Sequence, residues 1–253
     1  MNKYDKYYLF LFQVIAHIAL VWSIFNFSLS NWGISFFVYF LTGALGVSIT
    51  YHRLLSHNSF VPKENWEKLG TLFAFWGLVG SSIAWVNNHK THHRYTDQDK
   101  DPHSPIKMGF FTVQFLSMFH SATGLRYVVS LVRDKFHLFL HKNYYILHAI
   151  ILLLLLSLVG WKITAMIYLT PAALLWNAGS FVNSIGHLNI LSYRNHETND
   201  NSQNNIVLGY LMWGEGWHNN HHNKAAKAKF GEKWWEFDIS YFLISKFLRK
   251  PTE

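Results

Sequence analysis

Residues 7–51 read YYLFLFQVIAHIALVWSIFNFSLSNWGISFFVYFLTGALGVSITY, a run without a single Asp, Glu, Lys or Arg. A bilayer crossing takes about 20 apolar residues, so this stretch holds two membrane helices, 8–29 and 32–51, with a tight reversal at Ser30–Asn31. The first is too long for the apolar core of a signal peptide and lacks a convincing small-residue cleavage site, so it is expected to be retained. Further uncharged windows cover 69–89, 108–125, 143–161 and 163–193.

Charge decides which of these windows cross. Were all to span, Lys90, Arg94, Lys100 and Lys107 would face away from the cytoplasm, against the bias of basic residues toward that side. If 69–88 and 108–125 instead lie on the interface, Lys162 alone faces outward. The Gly-broken run at Gly70, Gly77 and Gly80 also suits an interfacial helix better than a span. The expected fold is an all-α integral membrane protein with four transmembrane helices in two hairpins, 8–51 and 143–186, and both termini cytoplasmic. Cytoplasmic segments 52–142 and 188–253 complete one domain over 1–253.

Composition points the same way. Half the residues are hydrophobic and only 14% are charged, where soluble domains average about 25%. Cys is absent, which excludes disulfides, thiolate-bound metals and a Cys nucleophile. The net charge of +8 favours anionic lipid headgroups or an acidic partner. No recognition motif supports nucleic acid. Sixteen His in so weakly charged a chain are the anomaly, since imidazole serves both proton traffic and metal binding.

His89, His92 and His93 stand at i, i+3 and i+4, one face of a helix, and His218, His221 and His222 repeat that spacing. His52 and His57 sit where the second helix leaves the membrane. Five residues span about 140° beyond a full turn of an α-helix, so these two converge only if the helix ends between them or the site embraces its tip. The topology puts all three clusters at one membrane face, and His187 at the end of the fourth helix joins them. Eight or nine imidazoles exceed what one tetrahedral ion uses, which implies two metals. Imidazole alone does not name the metal. An apolar chain drawn from the bilayer offers no bond to hydrolyse, so oxidative chemistry is expected, with iron its usual carrier.

At HRLLSH (52–57), HKTHHRYTDQDKDPHSP (89–105), NSIGH (183–187) and NDNSQNNIVLGYLMWGEGWHNNHH (199–222) the chain resembles the membrane-bound fatty acyl desaturases, nearest to the Δ9-type acyl-lipid and acyl-CoA enzymes. The likeness covers about residues 45–235. It implies a cytoplasmic helical cap with a di-iron centre: His52, His57, His89, His93 and His221 on one iron, and His92, His187, His218 and His222 on the other, with Asn183 reaching it through water. It further implies O2 as co-substrate, an acyl lipid, acyl-CoA or acyl-carrier protein as substrate, a cis double bond as product, and electrons from a separate ferredoxin or cytochrome. Trp85 keeps the family's tunnel aromatic, but Val79 stands where the family has Gln, and Gly179-Ser180 where it has Thr-Trp. Both departures fall where the family bends the acyl chain; the resemblance implies Δ9-type desaturation.

Of the nearby carboxylates, Asp101 and Glu215 are expected to orient ligating imidazoles, while Asp97 and Asp99 give no basis for a choice. His17 is expected to face a partner helix, and His103 to be structural or to support a ligand. His120, His137, His141, His148 and His196 read as ordinary. Lys224, Lys227, Lys229 and Lys233 with Trp234-Trp235 read as a basic interfacial anchor or a dock for an acidic electron donor. Two rival readings stand: a hydroxylase or ketolase on the same scaffold, and a non-enzymatic membrane metal-binding protein. Against the second, the spans carry no ladder of polar groups for a cation path.

Overall fold

A computed structural model describes residues 5–250, and the extreme termini, including their expected cytoplasmic placement, lie outside the described residues. Helix α1 (Asp5–Phe25) is followed by α2 (Leu29–Phe40), which runs without a break into a π-helical stretch, Leu41–Ser56. The reversal between them falls at 26–28 rather than at Ser30–Asn31. Asn26 ends α1 by donating its side-chain amide to the Trp22 carbonyl at 2.9 Å, and Trp32 Nε1 donates to Ser23 O at 3.2 Å across the turn. The second helix also overruns its expected end at residue 51 and reaches Ser56.

Helices α3 (Trp66–Trp76) and α4 (Ser82–Tyr95) follow, the latter capped by Ser81 Oγ, which accepts from Ala84 N. Then come the short α5 (Pro105–Met108), α6 (Phe110–Leu116), α7 (Val129–Arg133) and α8 (Lys135–Lys142). The windows 69–88 and 108–125 thus break into pieces of at most 14 residues, too short to cross. Next, α9 (Tyr144–Thr164) continues through a π-helical turn, Ala165–Leu169, into α10 (Thr170–Ile185). Gly160 interrupts it with φ +73°, a conformation costly for any other residue. The chain folds back there: His148 Nδ1 meets the Tyr168 hydroxyl at 2.6 Å, whereas twenty residues of straight helix would separate them by about 30 Å. The cap closes with α11 (Ile206–Leu211), α12 (His218–Asn223) and α13 (Ile239–Leu243). No β-strand forms among the described residues, only isolated bridges.

Among the described residues three continuous helical runs are long and apolar enough to cross a membrane: Asp5–Phe25, Leu29–Ser56 and the folded Tyr144–Ile185. Their outward faces are apolar and exposed, as at Ile18, Leu153 and Leu158, a surface suited to lipid. Inward, Phe12, Ala16 and Ala19 of α1 pack on Tyr168, Ala172 and Ala173, small residues letting the backbones close up. His17 Nε2 meets Asn177 Nδ2 of α10 at 3.0 Å, so it faces a partner helix as expected. The π-helical stretch and α3 pack closely, so that a Cβ at Gly46 would lie 2.4 Å from Ala74 N. That contact seats α3, and α4 beyond it, against the helix carrying His52.

Candidate metal centre and substrate cavity

The wide turn of the π-helical stretch settles how His52 and His57 meet. Hydrogen bonds from i to i+5, such as His57 N to His52 O at 3.3 Å, bring residues five apart toward one side. The helix also stops at Ser56, between the two. Their rings stand 5.1 Å apart. α4 presents His89, His92 and His93, and His187 follows the end of α10.

The six-residue α12 is too short to stand alone. Asparagines hold it in place: Asn204 Oδ1 accepts from the backbone N–H of Asn219 and Asn220 at 3.0 and 3.2 Å, and Asn220 Nδ2 donates to Glu236 Oε2 at 2.8 Å. Sequence reading passed over these residues, because an Asn between two His carries no signal of its own.

The structure gathers nine imidazoles into two groups, each with its ligand atoms within 4.8 Å of one another: His52, His57, His89, His93 and His221, and His92, His187, His218 and His222. In every case it is Nε2 that faces inward. His52 and His221 approach to 2.9 Å, His57 and His89 to 2.8 Å, His93 and His221 to 2.9 Å, His187 and His218 to 2.9 Å, and His92 and His222 to 3.4 Å. Two nitrogens each about 2.1 Å from one cation, at 90–110°, would stand about 2.9–3.4 Å apart. The donor sets therefore fit a metal in each group.

Carboxylates at the far side of the rings fix which nitrogen carries the proton. Nδ1–H of His52 donates to Glu215 Oε2 (2.5 Å), that of His92 to Asp101 (2.9 Å), that of His187 to Asp97 Oδ2 (3.2 Å) and that of His222 to Asp200 Oδ2 (3.0 Å). Each ring then turns a lone pair toward its centre. Asp97 and Asp200 are additions to the sequence reading; Asp200 lies 22 residues before its partner, with no helical spacing to announce it. Asp99 stays out, exposed and paired with Lys107. His103, beside His92 at 4.8 Å between rings, keeps a buried Nε2 without a hydrogen-bond partner.

Burial, and after it the neighbouring imidazoles, holds His89, His93, His218 and His221 well below the usual His range. His57 is pushed down to about 2 and His222 to about 4, again chiefly by burial. Neutral imidazole, the ligating form, is therefore the state at neutral pH. Burial works to raise Glu215, but His52 and Arg53 outweigh it and hold the carboxyl down at about 2. Asp97 is likewise held at about 2, burial being outweighed by His187.

Arg53 ties the first group to the end of the fold. Its guanidinium is fully buried, stacks on Phe230 at 3.6 Å, and donates to Glu215, to Ser48, to Ala228 O at 2.9 Å and to Asp238 at 3.1 and 3.2 Å.

A cavity of about 160 Å³ opens from this centre, touching His52, His89 and His218 at one end and lined by apolar side chains such as Leu175, Val182 and Met212. Trp85, Val79, Gly179, Ser180 and Asn183 all border it. Trp85 stacks on His89 at 5.0 Å between rings. A Cβ placed on Gly179 would meet nothing within 4 Å, so a side chain there would extend into open space. Lys224, Lys227 and Lys229 lie on the surface near α12, and Trp234 is 91% exposed.

Comparison with known proteins agrees with this construction. The fatty acid desaturase profile matches residues 30–228. The sn-2 palmitoyl-lipid 9-desaturase of Nostoc sp. (strain 36) is 36% identical over 238 residues, 91% of this chain and 82% of that protein. The sn-1 stearoyl-lipid 9-desaturase of Anabaena variabilis is 31% identical over 222 residues, 87% and 81% of the two chains. Delta-9 acyl-lipid desaturase 2 of Arabidopsis thaliana is 35% identical over 236 residues, 86% and 74%. With the profile spanning most of the sequence and these relatives aligning along nearly all of it, the chain belongs to the fatty acid desaturase family.

Proposed function

We propose that this desaturase places a cis double bond near the ninth carbon of a saturated acyl chain carried on a membrane lipid, using one iron in each histidine group, O2, and electrons from a separate ferredoxin or cytochrome. The observation that carries the reading is the junction of two inward-facing imidazole groups with an apolar cavity. The Δ9-type names of the relatives support the bond position.

When bound, the two irons would supply the oxygen-dependent removal of one hydrogen from each of two adjacent methylenes. The chain's own residues do the rest. Leu175, Val182 and Met212 line the cavity with hydrocarbon and keep water from the acyl chain. Trp85, braced on His89, forms the wall against which the chain bends, with Val79, Gly179 and Ser180 setting the width of that bend. Glu215, Asp97, Asp101 and Asp200 hold the ring protons of His52, His187, His92 and His222 on Nδ1 so that the Nε2 of each stays free to bind, and Asn183 would hold a water toward the four-histidine group. A saturated acyl chain offers no bond to hydrolyse, which favours oxidation at the metals for a substrate in this cavity.

In the same reading the folded Tyr144–Ile185 run makes two crossings, which gives four in all, with the histidine-bearing cap and both termini cytoplasmic. The basic residues gathered in the cap support that orientation.

The test is fatty-acid methyl ester analysis of a desaturase-deficient host expressing the chain, beside a His218→Ala/His222→Ala variant at matched protein level. A new monounsaturated acid, lost in the variant, is the expected result, and its bond position reads out the regiochemistry. A hydroxy acid would favour the hydroxylase reading. No product despite bound iron and a competent donor would defeat the proposed reaction.

A further inference from the structure

The two histidine groups differ in what stands behind the rings. In the four-histidine group, His92, His187 and His222 each donate Nδ1–H to a carboxylate of their own, Asp101, Asp97 and Asp200. No Lys or Arg pairs with any of those three carboxylates among the described residues. In the five-histidine group only His52 has such a partner among the described residues, Glu215, and that carboxylate is shared with the buried Arg53 guanidinium. Each group also holds one ring whose Nδ1 is buried without any partner, His221 in the five-histidine group and His218 in the other.

A carboxylate behind an imidazole makes the ring a stronger donor and adds negative charge close to the metal, which favours the more highly charged ion. Three unshared carboxylates against one shared with a cation is a large imbalance for two sites on the same helices. We propose that the two irons are electronically inequivalent: when the pair holds one ferric and one ferrous ion, the ferric ion occupies the four-histidine group of His92, His187, His218 and His222. Asp97 and Asp200 act as positioning residues through the rings they hold. The inference rests on the di-iron reading above.

The test uses the full-length enzyme in detergent, loaded with 57Fe and oxidised to the diferric state with one equivalent of ferricyanide per iron. Radiolysis at cryogenic temperature then adds one electron from solvent radicals, turning one Fe3+ into Fe2+, and brief annealing lets it settle before Mössbauer spectra are taken. Asp200→Asn assigns the ferric doublet of the four-histidine group by shifting it, and Glu215→Gln assigns the other. The ferrous signal is expected to grow out of the Glu215-sensitive doublet. Asp97→Asn and Asp200→Asn together are expected to move the ferrous occupancy toward the four-histidine group by about tenfold, the scale on which outer partners act on a bound metal.

A ferrous signal drawn from the Asp200-sensitive doublet, an even split, or a distribution unmoved by the paired substitutions with both irons retained would each overturn the proposal. Should the pair of substitutions cost an iron, single Asp97→Asn carries the comparison. Fewer than two irons per chain in the unsubstituted enzyme would instead defeat the di-iron reading and this inference together, an outcome distinguished by metal count before any spectrum is read.

Discussion

Replacing Asp238 with Ala should damage the enzyme although Asp238 touches neither the imidazoles nor the cavity. Its carboxylate is 1% exposed and pairs with a guanidinium that is 0% exposed. Removing one partner of such a buried pair costs about 3–5 kcal/mol, because the remaining charge is stranded. Glu215 still faces Arg53, which keeps the loss toward the lower end. Asp238 also accepts from Tyr241 N at 2.9 Å, capping α13, and from Phe230 N at 2.8 Å. Loss of the cap adds about 1 kcal/mol, for a total of about 4 kcal/mol. Asp238→Asn keeps an oxygen acceptor for only one of these two N–H groups, which bond to different oxygens, and should cost at least about 1.5–3 kcal/mol, the worth of a hydrogen bond to a charged group. Denaturant unfolding in micelles, followed by the 11 tryptophans, reads both. Asp99→Ala, which breaks only the exposed pair with Lys107, serves as the control with an unchanged midpoint. An Asp238→Ala midpoint equal to that of the control would refute the claim that the Arg53 clasp holds the first histidine group in place.

Acid should destabilise the metal-free protein well above the carboxylate range. His222 and His103, held at about 4 and about 3 mainly by burial, stay neutral in the fold while unfolded His takes protons below about 6.5. Stability is therefore full above that pH and falls as pH drops toward the folded values; each ring neutral at pH 5.5 forfeits about 1.4 kcal/mol, readable as a lower midpoint at pH 5.5 than at 7.5. Gly179→Leu should fold normally, since its Cβ meets open space, yet redistribute double-bond positions or lower turnover of the longest chains, as gas chromatography of the products would show. Gly46→Val should cost about 1–3 kcal/mol by overpacking against the Ala74 backbone and should lower the iron content, because the displaced helix carries His52. Retention of full iron with an unchanged midpoint would contradict the close approach.

Much of this architecture could be read from hydropathy. An uncharged run as long as 7–51 has few alternatives to paired membrane helices, and i, i+3, i+4 histidines have few alternatives to a shared face. Turn positions were less legible. The first reversal moved to 26–28 because a single Asn side chain ends α1, and the 32–51 helix ran on to Ser56 because i to i+5 bonding tolerates residues that an α-helical count would have placed outside. Around the metal centre, the residues that announce themselves are those whose chemistry is specific. Asp97 and Asp200 were hidden because a carboxylate meeting a ring from another loop has no local pattern, and Asp238 and Glu236 because their partners lie far away in sequence.

The Arg53 clasp also imposes an order on biosynthesis. Asp238 is 185 residues downstream of Arg53, and a ribosome moving at about 5–20 residues per second needs roughly 10–40 s to make that stretch. Throughout that interval Arg53, where the second helix leaves the membrane, lacks Glu215 and Asp238, the two carboxylates that neutralise it in the fold, and burying an unpaired guanidinium is costly. The guanidinium is therefore expected to stay in water until the downstream carboxylates arrive and allow its burial. The first histidine pair, earliest to be made, would be among the last to close.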